Sequence, residues 1–327
     1  MRRRDFVKGI TCATAWSVAA RAQTERVRLI GILSNKRSDD PEGQNELSVL
    51  VAALNAHGWM LGRNLKVETR WGAGSGELYR TYAAELVKLA PDLLLAPGGT
   101  VTGSLQRATH EIPIVFVGTT DPVDRGLVTS LSKPGSNTTG FTQFDFAITG
   151  KWLELLKEIA PDVTRAAVIR DPDQFSGAAE LAAIQAVAAS HAIDISSIDA
   201  RDVGRIETAL VRFASQPHGG LIVTPSGTSI KSRDRIITLA AEHRLPAIYS
   251  ASYYTAAGGL ISYGSDINDQ YRHAAEYIDR IFRGEKPADM SVQTPTKYEL
   301  VLNLKTAKAL GIAVPQTLLA SAHKVIE

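Results

Sequence analysis

Gly98-Gly99-Thr100, Thr119-Thr120-Asp121 and Asp171 are the residues of this chain best suited to holding a small polar molecule. Paired glycines let backbone N–H groups come close to a ligand, Thr100 adds a hydroxyl, and a helix starting there would present its positive end, a place for a carboxylate. The same three residues would also make a tight strand-to-helix turn. Asp171 stands just before Pro172, where a carboxylate can accept hydrogen bonds from a ligand ammonium or begin a turn or helix. Asp121 precedes Pro122 and reads more readily as a turn residue. Ser34, Asn35, Ser226, Thr228 and Ser250 add hydroxyl and amide groups, and Tyr249, Tyr253 and Tyr263 offer rings that would stack on a ligand or pack between domains. Trp71 carries the same ambiguity, whereas Trp152 fits the core face of a helix.

Catalytic signatures are missing from the sequence. The seven histidines are scattered, none at metal-ligand spacing. Gly72-Ala73-Gly74-Ser75-Gly76 lacks the central serine of a nucleophile elbow and the Lys-Ser/Thr of a phosphate loop, and reads as a flexible rim loop. The expectation is a binding protein without catalytic residues, metal or cofactor.

The elements that must position these residues alternate short apolar runs with longer helical patterns, as in a parallel α/β sheet. Strands are expected at 27–33, 65–71, 92–96 and 112–117, with helices between them. Residues 132–142, rich in Ser, Pro, Gly, Asn and Thr, read as a rim approaching a hinge. A second series places strands at 166–170, 194–198, 220–224, 246–249 and 260–263, with helices near 152–159, 178–189, 206–213 and 233–243. A further amphipathic helix spans 271–282, followed by an extended segment at 292–304 and a short helix at 304–310. Two successive runs of this kind imply two doubly wound lobes and a cleft, and the candidate residues fall at strand ends where such folds bind ligands.

The amino terminus has a different character. Arg3-Arg4-Asp5-Phe6-Val7-Lys8 gives the pattern R-R-x-F-x-K of a twin-arginine export signal, and Gly9 to Ala20 is uncharged and mostly small or apolar. Small residues at Ala20 and Ala22 mark a cleavage site, so residues 1–22 read as a removable signal and the mature protein as periplasmic. The apolar run is too short for a stable membrane anchor. Cys12, the one cysteine, lies inside the signal and outside any lipobox, which leaves the mature chain without thiol or disulfide chemistry. About 300 mature residues favour two domains over one core. With 44% hydrophobic residues, 21% charged residues and a net charge of +2, the composition is that of a globular protein with no basic patch for nucleic acid.

Several segments together resemble a known family: Gly31-Ile32-Leu33-Ser34, Pro113 to Val117, Asp121-Pro122-Val123, Lys133 to Gly140, Leu245 to Tyr249, Ala256 to Leu260, Gly284 to Asp289 and Pro295 to Lys308. Their order and spacing are similar to those of ABC-transporter substrate-binding proteins of the tryptophan/tyrosine type, over essentially the whole mature chain. The resemblance implies a type I periplasmic-binding fold whose chain crosses between lobes three times, near Gln143, near Gly264 to Asp266 and near Pro287 to Ser291. Lobe 1 would be residues 26–142 plus 267–286, and lobe 2 residues 143–266 plus 287–327. It further implies capture of a small molecule, an aromatic or branched amino acid, for an inner-membrane permease with its ATPase. A sensory protein docking on a membrane receptor is the nearest alternative, and an exported α/β hydrolase a more distant one.

Overall fold

The computed structural model describes residues 26–143, 148–172 and 175–327. The expected signal at 1–22 and the residues just after Gln143 lie outside that range. Among the described residues no helix is long and apolar enough to cross a membrane.

The first sheet has the order β2-β1-β3-β4-β5, with every pair parallel. Its strands are β1 (Arg28–Ser34), β2 (Leu65–Trp71), β3 (Leu93–Pro97), β4 (Ile114–Thr119) and β5 (Thr138–Thr142). β3 is buried along its whole length because helices cover both faces, which is why Leu93-Leu94-Leu95-Ala96 is a continuous apolar run. Helices α1 (Pro41–Ala56), α2 (Gly76–Lys88) and α3 (Gly99–Ala108) connect the strands. Asp40 caps α1 and Ser75 caps α2, each accepting backbone N–H groups of the first turn.

β5 lies where a rim loop was expected. Its Thr-Thr-Gly-Phe-Thr sequence looks polar, yet all five residues are buried, and β-branched threonines suit a pleated strand. Gly140 is required there: a Cβ would stand 2.1 Å from the Phe116 carbonyl oxygen.

The second sheet runs β12-β11-β10-β9-β8-β6-β7. In chain order its strands are β6 (Arg165–Arg170), β7 (Asp194–Asp199), β8 (Gly219–Val223), β9 (Ala247–Tyr249), β10 (Ile261–Ser265), β11 (Tyr298–Asn303) and β12 (Lys324–Ile326). Only β10 and β11 pair antiparallel. One face packs on α4 (Thr149–Ile159) and α5 (Phe175–Ala188); the other packs on α6 (Val203–Ala214), α8 (Arg233–Glu242) and α9 (Ser252–Ala256). Trp152 of α4 is fully buried, and its indole N–H donates to the Tyr263 carbonyl at 2.7 Å. The short helices α7 (Gly227–Lys231), α9 and α12 (Gln316–Ser321), and strand β12, had too little periodicity to be anticipated. Helix α11 (Leu304–Leu310) follows β11 as expected.

After β10 the chain returns to the first sheet. Helix α10 (Ile267–Phe282) buries Tyr271, Ala274, Ala275 and Ile278 in one core with Ile30, Leu50, Leu54 and Val115. The next crossing is expected at Pro287 to Ser291. Met290 and Val292 are buried in the cores of the first sheet, Val292 N–H donates to the Leu131 carbonyl at 2.7 Å, and Gln293 N–H donates to Gly140 at 2.9 Å. These contacts hold the segment through Gln293 against the first sheet.

Candidate functional site

The carboxyl ends of both sheets face one cavity of about 310 Å³, within the usual range for small-molecule sites. From the first lobe come Asn35 after β1, Gly74 and Gly76 of the rim loop, Tyr79, Gly98 to Val101 at the start of α3, and Gly118, Thr120 and Arg125 after β4. Gln143 lines it at the first crossing. From the second lobe come Asp171 after β6, and Pro225 to Thr228 and Ile230 after β8.

Gly98 has φ +82°, a left-handed conformation that favours glycine, and no side chain caps the helix that begins after it. The free N–H groups at the start of α3 therefore face the cavity. The guanidinium of Arg125 lies against Gly99, whose Cβ, if present, would stand 2.6 Å from Nε. Among the described residues no carboxylate is within ion-pair distance of Arg125. Burial pulls its pKa below the ordinary arginine value, opposed by the more distant charges of Asp121 and Asp171. Asn35 adds an acceptor: its Oδ1 is buried with no hydrogen-bond partner among the described residues, an arrangement with a free-energy cost until a donor arrives.

Eight of the residues singled out from the sequence meet here: Asn35, Gly98, Gly99, Thr100, Thr120, Asp171, Ser226 and Thr228. Thr120 Oγ1 bonds Gln143 Oε1 at 3.2 Å. Ser226 uses its hydroxyl to cap α7, accepting the Ser229 N–H at 2.9 Å. Six others lie outside the cavity walls. Ser34 turns its hydroxyl to the Lys36 N–H at 3.1 Å. Thr119 is fully buried in the sheet, and Asp121, at φ +49°, accepts the Arg125 N–H in a turn. Ser250 is buried beneath Gly264. Tyr249 belongs to the core, its ring 5.0 Å from that of Tyr254. Tyr263 packs on Tyr298 with ring centres 5.8 Å apart.

Arg125 and Tyr79 are the residues that sequence reasoning missed. Arg125 is one of many arginines, and only the turn begun by Asp121 aims it into the cleft. Tyr79 falls on the core face of α2; burial pushes its phenol up to about 12, against a hydrogen bond to the Gly74 backbone. The rim loop read as flexible is instead tied by Gly74 N–H to the Asn35 carbonyl at 3.0 Å, and it reaches the second lobe beside Lys231.

Next to the cavity the two lobes touch through charge. Arg233 of the second lobe lies 3.5 Å from Asp40 of the first. The Tyr253 ring sits between Lys36 Nζ at 5.4 Å and the Arg233 guanidinium at 5.7 Å. Lys36 is itself buried against Glu46, which also accepts from the Tyr271 hydroxyl at 3.1 Å. Among the described residues no group of His, Cys, Asp and Glu could hold a metal ion.

Two doubly wound lobes with a polar cleft at their strand ends define a periplasmic-binding-protein fold. The model of the ABC transporter substrate binding protein family matches residues 41–326, and the chain belongs to that family. A tyrosine-binding protein of Clostridioides difficile is 25% identical over 263 residues, covering 80% of this chain and 75% of its own. Among solved structures, a conserved domain protein of Vibrio cholerae superposes with a TM-score of 0.84 at 26% identity, covering 92% of this chain and 100% of its own. An ABC domain of Streptococcus pneumonia in complex with L-Trp superposes with a TM-score of 0.83 at 23% identity, covering 91% and 99%.

Proposed function

We propose that this protein is the periplasmic solute-binding component of an ABC importer, capturing an aromatic or branched amino acid between its lobes and delivering it to an inner-membrane permease. The observation that carries this reading is a half-buried arginine, Arg125, with no ion pair among the described residues, in the same small cavity as Asp171 of the opposite lobe. An α-amino acid presents both charges at that scale. Its carboxylate would take the Arg125 fork and the N–H groups at the start of α3, and its ammonium would face Asp171. Asn35 Oδ1 would accept from the same ammonium or from a side-chain donor. The tyrosine-binding and tryptophan-bound relatives agree with this choice.

A ligand bridging the cleft favours the closed arrangement by as much as its contacts differ between open and closed forms. In this reading lobe 1 comprises residues 26–142 and 267–293, lobe 2 the remainder, and the three crossings form the hinge. Residues 1–22 export the chain and are removed after Ala22.

The test is calorimetric titration with L-tyrosine, L-tryptophan and L-leucine, beside mass spectrometry of solute released from protein purified without denaturation. An amino acid that binds, while its decarboxylated amine does not, supports the reading. If none of the twenty amino acids binds or raises Tm, the amino-acid assignment is overturned.

A further inference from the structure

Gln270, three residues into α10, is 3% exposed and lies behind the cavity. Its side-chain amide makes three hydrogen bonds to three different places. Oε1 accepts the Gly118 N–H at 3.0 Å. Nε2 donates to the Thr142 carbonyl at 3.0 Å and to Ser265 Oγ at 3.2 Å. Thr142 is the last residue of β5 before the first crossing, and Ser265 is the last residue of β10 at the second.

The Gly118 bond has a structural cause. The register of β4 on β5 shifts between Phe116 and Thr119, and Gly118 has φ +63°. At that bulge the Gly118 N–H leaves the strand ladder and needs another acceptor. Gly118 and Thr120 also line the cavity, and Thr120 is bonded to Gln143 just past Thr142. One buried amide thus joins the cavity floor to two of the three chain crossings.

We propose that Gln270 is the positioning residue that couples contact at the cavity floor to rotation of the lobes, and so sets the balance between open and closed forms. This rests on the two-lobed clamp of the preceding section. Opening the lobes about the first two crossings must move Thr142 against Ser265, and the amide bonded to both, and to Gly118 at the cavity floor, resists that opening. The role has a donor requirement. Glutamate at this position keeps the shape and still accepts from Gly118, yet it cannot donate to Thr142 and sets a carboxylate oxygen against that carbonyl.

The experiment reads the distance between lobes directly. The one cysteine of the sequence is Cys12, so spin labels at Arg80→Cys and Arg212→Cys in a chain starting at Gln23 report one from each lobe. Distance distributions are recorded for wild type, Gln270→Glu, Gln270→Ala and Ser265→Ala, alone and with L-tyrosine or L-tryptophan, with Tm measured on each. The expected result is a shift of both Gln270 variants toward the longer distance by about tenfold in open-to-closed ratio, the scale of one lost buried hydrogen bond. A smaller shift is expected for Ser265→Ala. Folded variants whose distributions superimpose on wild type overturn the proposal while leaving the clamp intact. A wild-type distance that is single and unchanged by every amino acid overturns the clamp itself.

Discussion

Arg125 lies so closely on Gly99 that a single added methyl group would stand 2.6 Å from its Nε. The absence of a side chain at Gly99 is what lets the guanidinium reach the start of α3. Gly99 is outside the left-handed region, so alanine fits the helix backbone and removes the entropic cost of glycine. Gly99→Ala is expected to hold or slightly raise Tm while weakening L-tyrosine binding about tenfold, the scale of one perturbed hydrogen bond to a charged group. Thermal unfolding beside titration calorimetry separates the two effects; unchanged affinity would remove the guanidinium from the site.

Replacing the cation tests the same contact from the other side. Arg125→Ala is expected to weaken binding by about 100-fold and Arg125→Lys by about tenfold, because lysine keeps the charge and loses the planar fork. Neither variant should lower Tm in the absence of ligand, since among the described residues the arginine has no ion pair to give up.

Asp171→Asn keeps the size, turns one acceptor oxygen into a donor and removes the charge that would face an ammonium. A loss of at least about tenfold in affinity for L-tyrosine is expected, with little change for the corresponding α-hydroxy acid. Equal losses for both ligands would show that Asp171 acts on the loop and not on the ammonium.

Gly264 sits where β10 passes under the Ser250 carbonyl, and a Cβ there would stand 2.0 Å from that oxygen. Backbone cannot yield as a flexible side chain can. Gly264→Ala is expected to lower stability by about 1–3 kcal/mol, as overpacking does. Urea unfolding checks this, and a midpoint equal to wild type would mean that the second crossing moves freely.

Asp269 supplies a pH dependence. Burial pushes its carboxyl up, but the hydrogen bond from Lys297 Nζ at 2.6 Å, with the charges of His273, Lys297 and Arg272, holds it below its ordinary 3.8. A carboxyl depressed in the folded state stabilises the fold above the unfolded value and loses that contribution as pH falls through the folded one. Stability is therefore expected to drop below about pH 4, and Lys297→Met should make the drop smaller and complete it at higher pH. Parallel acid titrations of Tm for the two proteins compare them.

Much of this arrangement was legible in the residues. Continuous apolar runs such as Leu93 to Ala96 announce buried parallel strands, and the glycine pair after β3 announces a close backbone approach. Composition failed where context decides. Thr138 to Thr142 looks like a loop until β4 is beside it, and Tyr249 looks like a ligand platform until Tyr254 covers it. Arg125 was silent because its value comes from where the turn begun by Asp121 places it, against Gly99 in the cavity, and no pattern in one dimension records that. The packing of Met290 and Val292 was hidden for a similar reason: they are ordinary apolar residues whose side depends on which core is nearest.

The position of α10 has a consequence for how the chain is made. All five strands of the first sheet are synthesised by Thr142, but α10, which covers one of its faces, and Met290, which completes that core, come only after the strands β6 to β10. At typical rates of elongation the uncovered face waits on the order of ten seconds. During that interval the second half has β6 to β10 and their helices in hand. The amino-terminal half, although most of it is translated first, waits for α10 to finish the core that Leu50 and Leu54 of α1 begin on that face, and the second sheet in turn waits for β11 and β12.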